Sequence, residues 1–232
     1  MLPRQAGSTV CALAAADLPT LAVRVPAGPV AAELLRAAGR PVVAPSANPS
    51  GRISPSTADH VLAGLDGRID AVLDSGACSV GLESTVLDLS GPRPRLLRPG
   101  GVPLEALEHA IGPIDRGPET GSTPASPGQL ASHYAPSLPL RTDAARAEEH
   151  EALLAFGPPP GGAGLVWNLS EARDLREAAA RLFSGLRHLD EQAGRHGLTG
   201  IAAMAIPAEG LGLAIRDRLA RAAAPRPGAA TP

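Results

Sequence analysis

Lysine is absent from all 232 residues, so each of the 21 basic side chains is an arginine. A phosphate loop of the GxxxxGK[ST] type is therefore excluded, because its ammonium group has no source. Aromatic residues are scarce as well: one Trp, one Tyr and two Phe. Polynucleotide binders usually interleave a basic stripe with aromatics for base stacking. This chain has no such stripe and a formal net charge of −2, so direct nucleic-acid binding is not expected. No apolar run approaches the roughly 18–20 residues that a membrane span needs. The start, MLPRQAGSTV, lacks the charged and apolar pattern of a signal peptide. Cys11 and Cys78 stand far apart with no CxxC or Cys/His ligand spacing, which predicts free thiols and no metal site. The six histidines are scattered, and neither HExxH nor GxSxG occurs. These absences lead us to expect a cytoplasmic protein with no membrane segment.

What is present is globular but rich in turns. Hydrophobic residues make up 44% of the chain, mostly Ala, Leu and Val, enough for a core. Gly 26 and Pro 25 together make about 22% of it, against roughly 12% in average usage. The first part alternates strand-like and helix-like segments. Residues 21–25 read as a short strand stopped by Pro26. Pro29 suits a first helical position, and Val30, Leu34, Leu35 and Ala38 give an apolar face before Gly39. Residues 42–44 read as a buried strand entering the turn cluster PSANPSG. Ser54 is expected to cap a helix with Pro55 at its first position and Val61, Leu62 and Leu65 facing inward. Residues 69–73, 85–89 and 96–97 read as strands, and 104–111 as a helix closed by Gly112.

Residues 113–139 form a Pro/Gly/Ser-rich linker carrying the only Tyr. Beyond it, 152–156, 164–167 and 201–206 read as strands. A helix is expected from Ser170, with Leu175, Ala179, Leu182, Leu186 and Leu189 on one face. Leu211, Ile215 and Leu219 mark a last amphipathic helix, and 225–232 a frayed tail. The expected organisation is α/β: a domain over 1–112, the linker 113–139 and a small α/β domain over 140–224.

Three groups of residues could carry chemistry. In PSANPSGRISP, Ser46 and Asn48 would share one side of an extended segment at a sheet's carboxyl edge, with donors suited to phosphate oxygens, ahead of a helix N-terminus. Pro, Asn, Ser and Gly are also ordinary turn residues. In GLESTV, Ser84 and Thr85 could line a pocket or satisfy nearby backbone groups. In LLRPGG, Arg98 at a strand end could clamp phosphate or cover the sheet edge. Arg24, read inside a strand, would either snorkel or hold an anion such as a carboxylate.

The run from TLAVR through APSANPSGRISP, ESTV and RPG resembles the YrdC-like domain of the threonylcarbamoyl-AMP synthase family. SPGQLASHYAP is similar to that family's inter-domain linker, and the stretch from Trp167 through EGLGLAIRDRL to its small C-terminal domain. The resemblance implies a partial YrdC-like twisted sheet with helices, a linker and a small Rossmann-like α/β domain. It also implies a reaction: bicarbonate carboxylates the threonine amine, the carbamate attacks the α-phosphate of ATP, and pyrophosphate leaves with Mg²⁺ assistance. The product would pass to a transferase complex that modifies adenosine 37 of tRNA. Carried over by motif, Thr20, Ser46, Asn48, Ser54, Arg98 and Tyr134 would face ATP, and Arg24, Ala44 and Ser84 would face L-threonine. No residue is expected to act as a covalent or acid–base catalyst, since such chemistry is positioning and charge neutralisation. The family's Lys-x-Arg motif and a threonine-site His normally lie upstream of the equivalent of MLPRQAGS. The chain is therefore expected to match the C-terminal two thirds of a synthase and, alone, to release no pyrophosphate. A non-catalytic nucleotide-binding module or a gene remnant is the alternative.

Overall fold

A computed structural model describes residues 1–116 and 132–225. The expectations for 117–131 and for the tail beyond Pro225 lie outside the described residues.

The C-terminal unit is built on one parallel sheet. Its strands are β6 (Leu140–Ala144), β7 (Glu151–Ala155), β8 (Val166–Asn168) and β9 (Gly200–Met204), in the order β6-β9-β7-β8. Parallel strands need crossovers, and α4 (Leu175–Arg195) carries the chain from β8 to β9, with α5 (Leu211–Ala223) following β9. β7 lies between two neighbours and is buried along its whole length. Its alternation splits the core: Ala152 and Leu154 pack with Leu182, Leu186 and Ile215 of the helices, while Leu153 and Ala155 pack with Ala144 and Ala202. This matches the expected small Rossmann-like α/β unit. The helix starts at Leu175 rather than near Ser170, because Asp174 is the residue whose carboxylate accepts from the Arg176 and Glu177 amides. Strand β6 was not foreseen.

The preceding unit is more open. β1 (Leu2–Pro3) pairs antiparallel with β2 (Thr20–Leu21), and β3 (Val86–Asp88) pairs antiparallel with β4 (Arg95–Arg98). β5 (Asp115–Arg116) adds to β4 in parallel, so the segment read as linker begins with a strand. Helix α1 (Pro29–Ala38) has Pro29 at its first turn and ends on Gly39 at φ 62°, as the sequence predicts. Helix α3 (Leu104–Ile111) likewise ends before Gly112.

Several expectations fail here. The strand of 21–25 stops at Leu21, and no strand forms over 42–44 or 69–73. Val25 is 91% exposed, Val43 71% and Leu73 63%. Apolar, β-branched composition favours a strand only where a partner strand supplies hydrogen bonds and cover, and these segments meet none among the described residues. Helix α2 (Ala58–Leu65) starts four residues after Ser54. Its cap is Thr57, whose hydroxyl accepts from the His60 amide. No residue of α2 is buried, and Leu62 faces solvent. Ser54 is buried in an extended stretch leading into the helix.

This unevenness predicts a measurable gradient. Amides of 21–25, 42–44 and 69–73 should exchange with solvent within seconds to minutes, whereas those of β7 and β9 should persist at the level of global unfolding. Hydrogen exchange read by mass spectrometry checks this; equal protection in both sets would contradict it.

Candidate active site at the seam between the two units

The loop 81–85 is pressed against the C-terminal unit. Gly81 adopts φ +70°, and a Cβ there would lie 2.2 Å from the Ala179 carbonyl oxygen of α4. On its other side the loop meets the turn after β4. A Cβ on Gly100 would stand 2.3 Å from the Glu83 carbonyl oxygen, and the Gly101 amide donates to that oxygen at 2.9 Å. Two glycines thus let three backbone segments close on one another.

Inside this junction lies a charged cluster. Ser54 Oγ donates to Glu83 Oε1 at 2.7 Å, and Arg218 Nε of α5 donates to Glu83 Oε2 at 2.9 Å. Arg218 Nη1 donates to the Pro99 carbonyl at 2.8 Å and to Asp217 Oδ2 at 2.6 Å. The Arg218 side chain has no exposed surface, and its guanidinium sits 5.3 Å from the Tyr134 ring centroid. Arg98 Nη2 donates to the Ser84 carbonyl at 2.8 Å, and Arg24 Nη1 reaches Ser84 Oγ at 3.2 Å. Tyr134 is almost fully buried against Phe183 and His133, with φ 60°. A bulky side chain in the left-handed region costs free energy that only surrounding packing can offset, and such residues cluster at functional sites.

The electrostatics favour an anion. Burial lowers the basicity of Arg98, and the positive charge of Arg218 lowers it further. Two guanidiniums facing one pocket each gain from a negative ligand. Burial pushes the Glu83 carboxyl up, but the Arg218 charge and the hydrogen bonds from Ser54 and Arg218 outweigh it and hold the group below its ordinary value. His133 is held below its ordinary value chiefly by burial, with Arg221, Arg218 and Arg98 acting the same way and Glu83 opposing them.

The structure brings Arg24, Ser54, Ser84, Arg98 and Tyr134 together. Arg24 is exposed and outside any strand. Thr20 lies in β2, opposite Pro3. Ala44 and Ser46 are exposed, with no side-chain contact to the cluster among the described residues. Asn48 turns its amide back onto the carbonyls of Pro49 and Arg52, each at 3.0 Å, so its donors are engaged within its own loop. That loop is tied to the Tyr134 segment, since Arg52 pairs with Ala135 and the Ala135 amide donates to Gly51. The expected carboxyl-edge placement of Ser46 and Asn48 does not occur, because no strand precedes them. Thr85 takes the local option, exchanging hydrogen bonds with the Val102 backbone. A separate cavity of about 470 Å³, lined by Arg4, Ser8, Asp17 and neighbours, holds none of these residues. Among the described residues no group of three His, Cys, Asp or Glu could hold a metal ion.

Sequence reasoning missed Glu83, Arg218 and His133. Arg218 carried a signal: it falls on the buried face of α5 with Leu211, Ile215 and Ala222, where a charge needs a partner.

An α/β protein with an anion-receptive seam between a loop-rich unit and a small parallel-sheet unit is thus defined. Residues 1–100 match the Sua5, YciO and YrdC family model, described as "Telomere recombination". Residues 102–224 match the model "Threonylcarbamoyl-AMP synthase, C-terminal domain". The threonylcarbamoyl-AMP synthase of Bacillus subtilis (strain 168) is 38% identical over 229 residues, covering 91% of this chain and 65% of that protein. Its counterpart in Pyrococcus abyssi is 38% identical over 222 residues, covering 88% of this chain and 64% of that protein. The crystal structure of P. abyssi Sua5 complexed with L-threonine superposes with a TM-score of 0.83 at 34% identity, covering 94% of this chain and 68% of that one. The chain belongs to the threonylcarbamoyl-AMP synthase family. It spans just under two thirds of the length of the two synthases from B. subtilis and P. abyssi.

Glu83 gives the site a pH signature. Its folded-state pKa is depressed, so its stabilising contribution is complete at neutral pH and is lost as pH falls through and below the ordinary carboxylate range. Acid should loosen the seam, and Glu83→Gln should flatten that part of the stability–pH curve. Denaturant unfolding at a series of pH values checks this; an unchanged slope in Glu83→Gln would contradict it.

Proposed function

We propose that this chain carries the threonine- and nucleotide-facing residues for threonylcarbamoyl-AMP synthesis, from ATP, L-threonine and bicarbonate. The observation that carries the reading is the convergence of Arg24 and Arg98 on Ser84. Arg24 is exposed and free to turn from the Ser84 hydroxyl to a carboxylate, a fork well matched to an amino acid's α-carboxylate. Ser84 and Ala44 would complete the threonine side. Arg98, Thr20, Ser46, Asn48 and Ser54 would face ATP, and Tyr134 would close over it. In the reaction, bicarbonate carboxylates the threonine amine, a carbamate oxygen bonds to the α-phosphorus, and the bond to pyrophosphate breaks. Protein residues here orient the reactants and meet developing negative charge. With no lysine in the sequence, that charge must be met by arginine or by Mg²⁺. Mg²⁺ fits as an ion carried on the phosphates, since it is usually bound by phosphates, water and one or two carboxylates rather than by a protein cage. The domain division at 1–112, 113–139 and 140–224 belongs to this reading. So does a cytoplasmic setting, which suits two exposed free thiols. No helix among the described residues is long and apolar enough to cross a membrane. The product would be handed to a tRNA-modifying transferase complex.

Calorimetric titration tests the binding roles. Arg24→Ala should weaken L-threonine binding more than ATP binding, and Arg98→Ala should do the reverse, each by about 1.5–3 kcal/mol for a lost charge-assisted contact. Unchanged affinities would remove these residues from the site. Turnover is read as pyrophosphate released from Mg²⁺-ATP only when L-threonine and bicarbonate are both supplied. Binding of both substrates without release would reduce the reading to a binding module.

A further inference from the structure

Arg218 belongs to the C-terminal unit, yet most of its reach is into the other one. Its Nε holds Glu83, the residue before Ser84; its Nη1 holds the carbonyl of Pro99, the residue after Arg98. Ser84 and Arg98 are the two places where the site's charges converge. A single planar guanidinium therefore bridges the two loops that carry them, with the Tyr134 ring against its Cζ at 5.3 Å.

We propose that Arg218 is a positioning residue for the threonine site. It holds the 83–85 loop and the 98–100 turn in register, so that Arg24, Ser84 and Arg98 face one ligand. The proposal rests on the threonine reading above. The physical argument is that adhesion alone does not call for this charge. Well-packed apolar residues in place of a buried ion pair often hold an interface as firmly or more so. What a guanidinium adds is fixed direction: several N–H donors in one plane, able to grip a carboxylate and a carbonyl on separate segments at once. Ser54 on the far oxygen of Glu83 extends the same alignment to the segment that precedes α2. Asp217 and Arg221 stay paired with one another if Arg218 is changed, since Arg221 Nε donates to Asp217 Oδ1 at 3.0 Å.

Two variants of the full chain test this. Glu83→Gln combined with Arg218→Met removes both charges at similar volume, so no ion is left buried alone. Arg218→Lys keeps the charge and loses the fork. Three readouts are taken: thermal unfolding, amide exchange, and calorimetric titration with L-threonine. In the double variant the melting temperature should stay near that of the parent. The Gly101 amide, bonded to the Glu83 carbonyl, and the Val102 amide, bonded to Thr85 Oγ1, should lose at least about tenfold in protection while β7 and α4 keep theirs. Threonine affinity should fall about ten- to a hundredfold, the scale expected when a site is misplaced by an ångström. Arg218→Lys should behave like the double variant in exchange and affinity. Retained protection and affinity in the double variant, full rescue by lysine, or losses spread evenly over β7 and α4 would each overturn the proposal. If the parent chain itself does not bind L-threonine, the functional reading fails instead. The exchange pattern then decides the positioning role by itself: local loss upholds it and no loss overturns it.

Discussion

A guanidinium with no exposed surface is stable only where anions, carbonyls or aromatic faces replace its water. Arg218 finds all three: Glu83 and Asp217, the Pro99 carbonyl, and the Tyr134 ring. Because Glu83 and Pro99 belong to one unit and Asp217 to the other, this requirement joins the two units at a fixed point. Much nearby geometry follows from it. The loop of Glu83 must approach α4 closely enough that only glycine fits at position 81, and the turn after Arg98 must lie flat on the same loop, which selects glycine at 100. Tyr134 is held in a backbone conformation that a bulky residue rarely adopts, wedged between Phe183 and the guanidinium.

The same constraint shapes the site's electrostatics. Arg218 is largely neutralised by its carboxylates, whereas Arg98 feels both burial and the charge of Arg218. The field left over at Ser84 is positive on the Arg24 and Arg98 side, and a carboxylate or phosphate would relieve it. A family that joins an amino acid to a nucleotide needs such a field, and here arginine alone must supply the protein's share of it.

Where local chemistry decides structure, the sequence was readable. Pro29 and Gly39 bound α1, Gly112 closes α3, and the spacing of Leu182, Leu186 and Leu189 marks the buried face of α4. Asp174 displaced Ser170 as the cap, although Glu177 three residues on is the capping-box spacing that could have revealed it. Where structure depends on a partner, the sequence misled. Residues 42–44 and 69–73 have strand composition, but a strand exists only when paired, and composition does not say with what. The site motifs were legible as motifs: Ser84 and Arg98 do meet, and Tyr134 does cover them. Their organiser was not, because Arg218 and Glu83 lie 135 residues apart. Only the misfit of an arginine on an apolar helix face hinted that a distant carboxylate must exist.

The central claim is that Glu83 and Arg218 act as one unit across the seam. A double-mutant cycle on unfolding free energy, using Glu83→Gln, Arg218→Met and both together, measures that directly. Each single change strands a buried charge or donor and should cost more than the pair does together, giving a coupling of at least about 1 kcal/mol. Additive costs, with coupling within about 0.3–0.5 kcal/mol of zero, would mean that the two side chains are independent and that the account of the seam is wrong.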